Sequence, residues 1–112
     1  MPRDYRVYLD DILESVGKIK DYTAGYTRQR FAEDSKTVDA VIRNLMVIGE
    51  AAKHVPQEVR ARHPEAHWRE MIGLRNIVIH EYFGINLDVI WNVIKTDLPA
   101  LEIHVREILQ GR

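Results

Sequence analysis

The chain has 112 residues, no cysteine, and 16 Lys plus Arg against 17 Asp plus Glu, a formal net charge of −1. A single domain spanning 1–112 buries roughly two-thirds of its unfolded surface and needs no disulfide or metal to fold, and the lack of thiols excludes cysteine chemistry and fits a reducing cytoplasm. Proteins that grip long duplex nucleic acid show a basic excess; without one, DNA is not an expected partner and any nucleic-acid contact has to be local.

The opening residues, Met1-Pro2-Arg3-Asp4-Tyr5-Arg6, are charged from the start and lack the apolar run of a signal peptide. The longest apolar run, Leu45-Met46-Val47-Ile48, is far too short to span a bilayer, so a soluble protein with no membrane partner is expected. From about Asp4 to Thr23, Tyr5, Leu9, Ile12, Leu13, Val16 and Ile19 recur at three- and four-residue spacing, which places them on one helical face, and Gly25 is a natural stop. In the connection from Tyr26 to Glu33, Thr27 is placed to cap a single turn that presents Phe31 to the core, with Tyr26 as a packing residue.

A second long helix is predicted from Ser35 or Lys36 to His54, ending before Pro56, with an apolar stripe of Val38, Val41, Ile42, Leu45, Met46, Ile48, Gly49 and Ala52. Gly49 costs about 1 kcal/mol inside a helix, which marks close approach of another backbone. Glu50 and Lys53 are spaced as an i,i+3 ion pair, either a solvated pair or the rim of a site. Gln57 to Arg62 reads as one short helical piece between prolines. From Lys53 to Arg75 the basic residues Lys53, Arg60, Arg62, Arg69 and Arg75 face Glu58, Glu65 and Glu70, a local excess of two positive charges that is either a solvated face or an RNA-backbone patch. His63 and His67 have no third ligand at matching spacing, so no metal site is expected.

A third long helix covers roughly Trp68 to Phe83, with Trp68, Met71, Ile72, Ile79 and Phe83 packing and Gly84 terminating it. Asn86 is placed to cap the last helix, in which Leu87, Trp91, Ile94, Leu98, Leu101, Val105 and Ile108 repeat at intervals of four and three. Pro99 should break its hydrogen-bond ladder and kink it without ending it. The expected fold is therefore all-α, an up-and-down bundle of four main helices plus short helical turns, with the last helix kinked at Pro99.

Within the third helix, Leu74-Arg75-Asn76-Ile77-Val78-Ile79-His80-Glu81-Tyr82 sets an arginine five residues before a histidine and a tyrosine two further on, the form R-x4-H-x-Y. On a straight helix His80 lies about 140° from Arg75 and aligns with Asn76, while Tyr82 returns to within about 20° of Arg75. One straight helix does not aim Arg75 and His80 at one point. Either the helix loosens near its end, or a second copy of the chain completes the site across a twofold axis.

A histidine able to act as acid or base near neutrality, beside an arginine fork suited to phosphate oxygens, fits cleavage of RNA by its own 2′-hydroxyl. Asn76, four residues before His80, is placed to orient the imidazole or donate to the phosphate. No carboxylate cluster accompanies the motif, so the expected chemistry uses neither metal nor cofactor.

The R-x4-H-x-Y motif, the Ile48-Gly49-Glu50-Ala51-Ala52-Lys53 segment and Thr96-Asp97-Leu98-Pro99 together resemble the HepT-like ribonuclease toxins of the HEPN superfamily, over nearly the whole length. The resemblance implies an endoribonuclease toxin of a type VII toxin–antitoxin system, a homodimer with Arg75 and His80 as catalytic residues. It also implies that Tyr82, otherwise readable as a core aromatic, accepts AMP from an MNT-type nucleotidyltransferase antitoxin. The alternative from another class is a catalytically inactive helical module that docks a nucleotidyltransferase.

Overall fold

A computed structural model describes residues 4–80 and 86–111, with the backbone alone for 77–80. The order is α1 (Tyr5–Thr23), α2 (Arg28–Glu33), α3 (Ser35–His54), α4 (Gln57–Arg62), a 3-10 turn (Pro64–Ala66), α5 (Trp68–His80), α6 (Leu87–Asn92), a π turn (Val93–Asp97) and α7 (Leu98–Leu109). The fold is an all-α bundle, with no strand among the described residues. None of its helices is long and apolar enough to cross a membrane, again among the described residues.

The starts of α1, α2, α3 and α6 are each set by a short polar side chain that takes over an unpaired amide. Asp4 accepts from the Arg6 amide at 2.9 Å, Thr27 from Arg30 at 3.1 Å, and Asn86 from Asp88 at 2.9 Å. Thr27 thereby opens the single-turn α2 that delivers Phe31, fully buried, against Trp91 at 5.3 Å between ring centroids. After α1, Gly25 adopts φ 77°, a left-handed conformation that costs glycine little.

The strongest cap was not expected. Asp34 accepts from the Thr37 amide at 3.1 Å, from the Thr37 hydroxyl at 2.7 Å and from the Tyr26 hydroxyl at 2.6 Å. Those bonds, Tyr26 first and Thr37 next, hold its carboxyl down to about 2. Tyr26 is thus more than packing: it ties the α2 connection to the start of α3.

The core gathers the fully buried Leu9, Ile12, Val16 and Ile19 of α1 and Val41, Leu45 and Ile48 of α3, each contributing roughly 1.5–3 kcal/mol by leaving water. Helix α3 is the middle layer, packed by α1 on one side and α5 on the other, and α7 lies along α1. At the α1–α7 seam Lys20 and Arg106 both reach Glu102, at 3.1 and 3.0 Å. Burial pushes that carboxyl up, but the two cations outweigh it and hold it below its ordinary value.

The last helical stretch departs from expectation at its first half. Ile94, Leu98, Leu101, Val105 and Ile108 are buried as the heptad spacing predicts, and Leu87 and Trp91 pack partly buried against the core, but Ile90 and Val93, not expected inside, are the more deeply buried there. The cause is the π turn just before Pro99. Its wider winding admits an extra residue, so the inward stripe is rephased upstream of it, and Pro99 sits in the first turn of α7, where its missing amide is harmless. Phe83 and Gly84, expected to close α5, and the side chain of Ile79 lie outside the described residues.

Candidate active site

The site is built where α3 meets α5. A methyl group at Gly49 would stand 3.1 Å from the Cβ and amide nitrogen of Arg75 and 3.2 Å from the Met71 carbonyl oxygen. The glycine therefore permits the close approach that its position inside a helix predicts, and what approaches is the backbone that carries Arg75.

One residue further on, Glu50 faces the arginine. Its Oε2 lies 3.5 Å from Arg75 Nε, and its Oε1 lies 3.2 Å from His54 Nε2. Oε2 is itself buried and makes no hydrogen bond, so the contact with Arg75 is an ion-pair distance only. The His54 ring in turn stacks on Tyr8 of α1, with centroids 5.2 Å apart. A polar chain thus runs from Tyr8 through His54 and Glu50 to Arg75, across three helices.

The pairing expected for Glu50 was Lys53, and this is corrected: Glu50 turns to Arg75 and His54, and Lys53 is exposed without a carboxylate partner among the described residues. His54 was readable, since it stands four residues after Glu50 on the same helix face. Tyr8, from the far end of the sequence, carried no signal beyond its aromatic character. About half of the Arg75 and Glu50 side chains is solvent-accessible, at 42% and 47%, so the guanidinium stays within reach of a ligand.

The α-helix continues unbroken through His80. Positions 75 and 80 are accordingly about 140° apart around the axis, and loosening of the helix does not bring them together up to that point. Arg75 faces α3, whereas the exposed Asn76 belongs to a groove between α4 and α5. The His80 side chain and all of Tyr82 lie outside the described residues.

The remaining histidines do not form a metal centre. His63 lies 3.6 Å from Glu65, and its carbonyl accepts from Trp68 Nε1 at 2.9 Å. His67, at a left-handed φ of 55°, is 3.9 Å from Glu70 and meets His104 edge-on. Among the described residues no three His, Asp or Glu side chains are grouped to hold an ion.

Residues 12–108 match the family described as Ribonuclease HepT-like. The chain belongs to the HepT-like ribonuclease family. A HepT-like relative in Thermococcus cleftensis, named probable ribonuclease HepT, is 42% identical over 102 residues, covering 91% of this chain and 93% of that one. A Methanocaldococcus jannaschii protein named as a candidate RNase is 41% identical over 111 residues, or 98% of this chain and 92% of its own length. A longer protein of the same organism, named as a gamma-glutamylcyclotransferase and candidate RNase, is 38% identical over 110 residues, 98% of this chain and 50% of that protein. No solved structure matches. At the level of the family, HepT-like activity is that of an RNase, with RNA as the substrate class.

Proposed function

We propose that this HepT-like chain is a metal-independent endoribonuclease toxin that works as a homodimer. The observation that carries the reading is the complete R-x4-H-x-Y motif on a helix whose Arg75 is seated against Gly49 and Glu50 yet half-open to solvent. Because positions 75 and 80 diverge by about 140° on that helix, one subunit does not converge them, and a twofold partner supplies the second set.

In the cleft, one His80 imidazole takes the proton of the RNA 2′-hydroxyl. The 2′-oxygen attacks the adjacent phosphorus, the bond to the 5′-oxygen breaks, and the other His80, protonated, returns a proton to that leaving oxygen. The products are a 2′,3′-cyclic phosphate and a 5′-hydroxyl. Arg75 holds the phosphate oxygens as negative charge builds on them, and Asn76 orients the imidazole or donates to the phosphate. Glu50 and Lys53 form the rim.

Tyr82 is the silencing point. Its phenol oxygen attacks the α-phosphorus of ATP held by an MNT-type nucleotidyltransferase antitoxin, pyrophosphate leaves, and the phenol proton passes to solvent. The adenylate fills the cleft, and its phosphate occupies Arg75.

His80→Ala and Arg75→Ala, assayed on RNA with EDTA present, should keep the fold and lose cleavage. Cleavage unchanged in His80→Ala overturns the catalytic assignment, since the cutting then comes from another site or a contaminant, and no cleavage by wild type leaves a module that docks a nucleotidyltransferase. A monomer at micromolar concentration in analytical ultracentrifugation overturns the dimer. Intact mass after incubation with the partner and ATP should rise by one adenylate in wild type and not in Tyr82→Phe.

A further inference from the structure

Beside the motif, α4, the 3-10 turn and α5 enclose an open groove of about 780 Å³ whose lining includes Arg60, Arg69, Gly73 and Asn76. We propose that this groove is the track of the single-stranded RNA that flanks the scissile bond, with Arg60 and Arg69 gripping its phosphates. The proposal rests on the ribonuclease reading above and adds to it the path of the substrate.

Three independent observations carry it. First, positions 69, 73, 76 and 80 of α5 share one stripe, within about 60° around the axis, so the groove follows the side of the helix on which position 80 lies. Arg69 is then about 16 Å along the axis from position 80, a distance a short run of nucleotides spans.

Second, the described residues make no ion pair with the groove's cations. Among the described residues no carboxylate pairs with Arg60 or Arg69, and Arg60 Nε is buried with no acceptor. Among the described residues Glu70 is the one acid of the lining, and its neighbour there is His67, at 3.9 Å. Unpaired guanidinium groups along a groove are what a phosphate backbone neutralises, whereas a protein's own fold gains nothing from a buried donor left open.

Third, Gly73 sits inside α5 where glycine costs about 1 kcal/mol relative to alanine, yet a methyl group there would meet nothing within 4 Å. At Gly49 the equivalent cost is explained by the neighbouring helix. At Gly73 no part of the described chain explains it, and the position lies on the groove floor, where a bare backbone lets a bulky sugar–phosphate chain settle against the helix.

The test is binding of a fully 2′-O-methylated single-stranded RNA, which lacks the attacking hydroxyl, measured as a function of salt. The proteins compared are wild type, the double variant Arg60→Gln/Arg69→Gln, Gly73→Gln, and the double variant Lys36→Gln/Arg43→Gln on α3 as the charge-matched control. The double variant should bind at least tenfold more weakly, and its log–log salt slope should be smaller by about 1.4, because two fewer phosphates are neutralised. Gly73→Gln should remain folded by circular dichroism and also lose binding, by filling the floor, while Lys36→Gln/Arg43→Gln binds as wild type.

Wild-type affinity in the double variant overturns the track even if the enzyme cleaves RNA. So does loss of nucleotidyltransferase capture with RNA affinity unchanged, which would make the groove a protein-docking face. Cleavage is scored separately with unmodified RNA. A wild type that binds through the groove and does not cut sinks the nuclease reading and leaves the track standing.

Discussion

Gly49 and Arg75 lie so close that α3 and α5 meet backbone to backbone: a Cβ on the glycine would be 3.1 Å from the arginine's own amide nitrogen. This contact fixes where the motif helix sits. Because the atoms crowded are backbone and Cβ, they cannot swing aside as the end of a long side chain would.

Gly49→Ala should therefore destabilise the fold by about 1–3 kcal/mol through overpacking, despite a gain of about 1 kcal/mol in helix propensity. Gly17→Ala is the matched control, since a methyl group there meets nothing within 4 Å and only the propensity gain, about 0.5–1 kcal/mol, remains. Urea unfolding of the two variants should move the midpoint in opposite directions.

Glu50 competes with any phosphate for Arg75. Both side chains are nearly half exposed, so solvent screens their attraction and Glu50→Gln should change stability by less than about 1 kcal/mol. The same change should tighten binding of non-cleavable RNA several-fold, because the negative charge 3.5 Å from the guanidinium is gone. Unfolding curves and an RNA titration read the two effects separately.

The Asp34 carboxyl, held down to about 2 by Tyr26 and Thr37, makes stability depend on acid in a defined direction. Its folded value lies below the unfolded one, near 3.9, so its contribution is complete above that value and lost as pH falls toward about 2. Asp34→Ala should lower Tm by a few degrees at pH 7, and the gap from wild type should close on acidification through that window. Tyr26→Phe, which removes the first of those bonds, should reproduce part of the effect.

Phe31 fills the space between the short α2 and Trp91 and is fully buried. Phe31→Ala should cost about 3–5 kcal/mol by opening a cavity, a large share of the stability of a domain this size. Guanidinium unfolding followed by tryptophan fluorescence would show both the lost stability and the altered Trp91 environment.

Much of the fold was legible because local rules agreed with the packing. The three-and-four spacing of α1 and α3, the caps at Thr27 and Asn86, and the glycine at the α3–α5 approach each act through neighbours a few residues away. Ile90 and Val93, buried beside Leu87 and Trp91, were missed for a different reason. Periodicity assumes a constant turn, and the π turn at Val93–Asp97 breaks that assumption without any polar or apolar mark in the sequence. At the site, Arg75 and Glu50 could each be picked out, but their pairing could not, because Lys53 and Arg75 are equally good cations and only the helix approach at Gly49 decides between them. The stack of Tyr8 on His54 joins residues 46 positions apart and has no local signature.

The π turn has a bearing on how this chain tolerates insertions and deletions. Removing one residue from Val93–Asp97 would take out the residue that the wider winding accommodates and leave a regular helix, with Ile90 still inward and Trp91 still against the Phe31 ring, whereas a deletion within Leu98–Leu109 would turn α6 by about 100°. Homologous genes should therefore tolerate the loss of one codon in this short window and not in the regular helix that follows it.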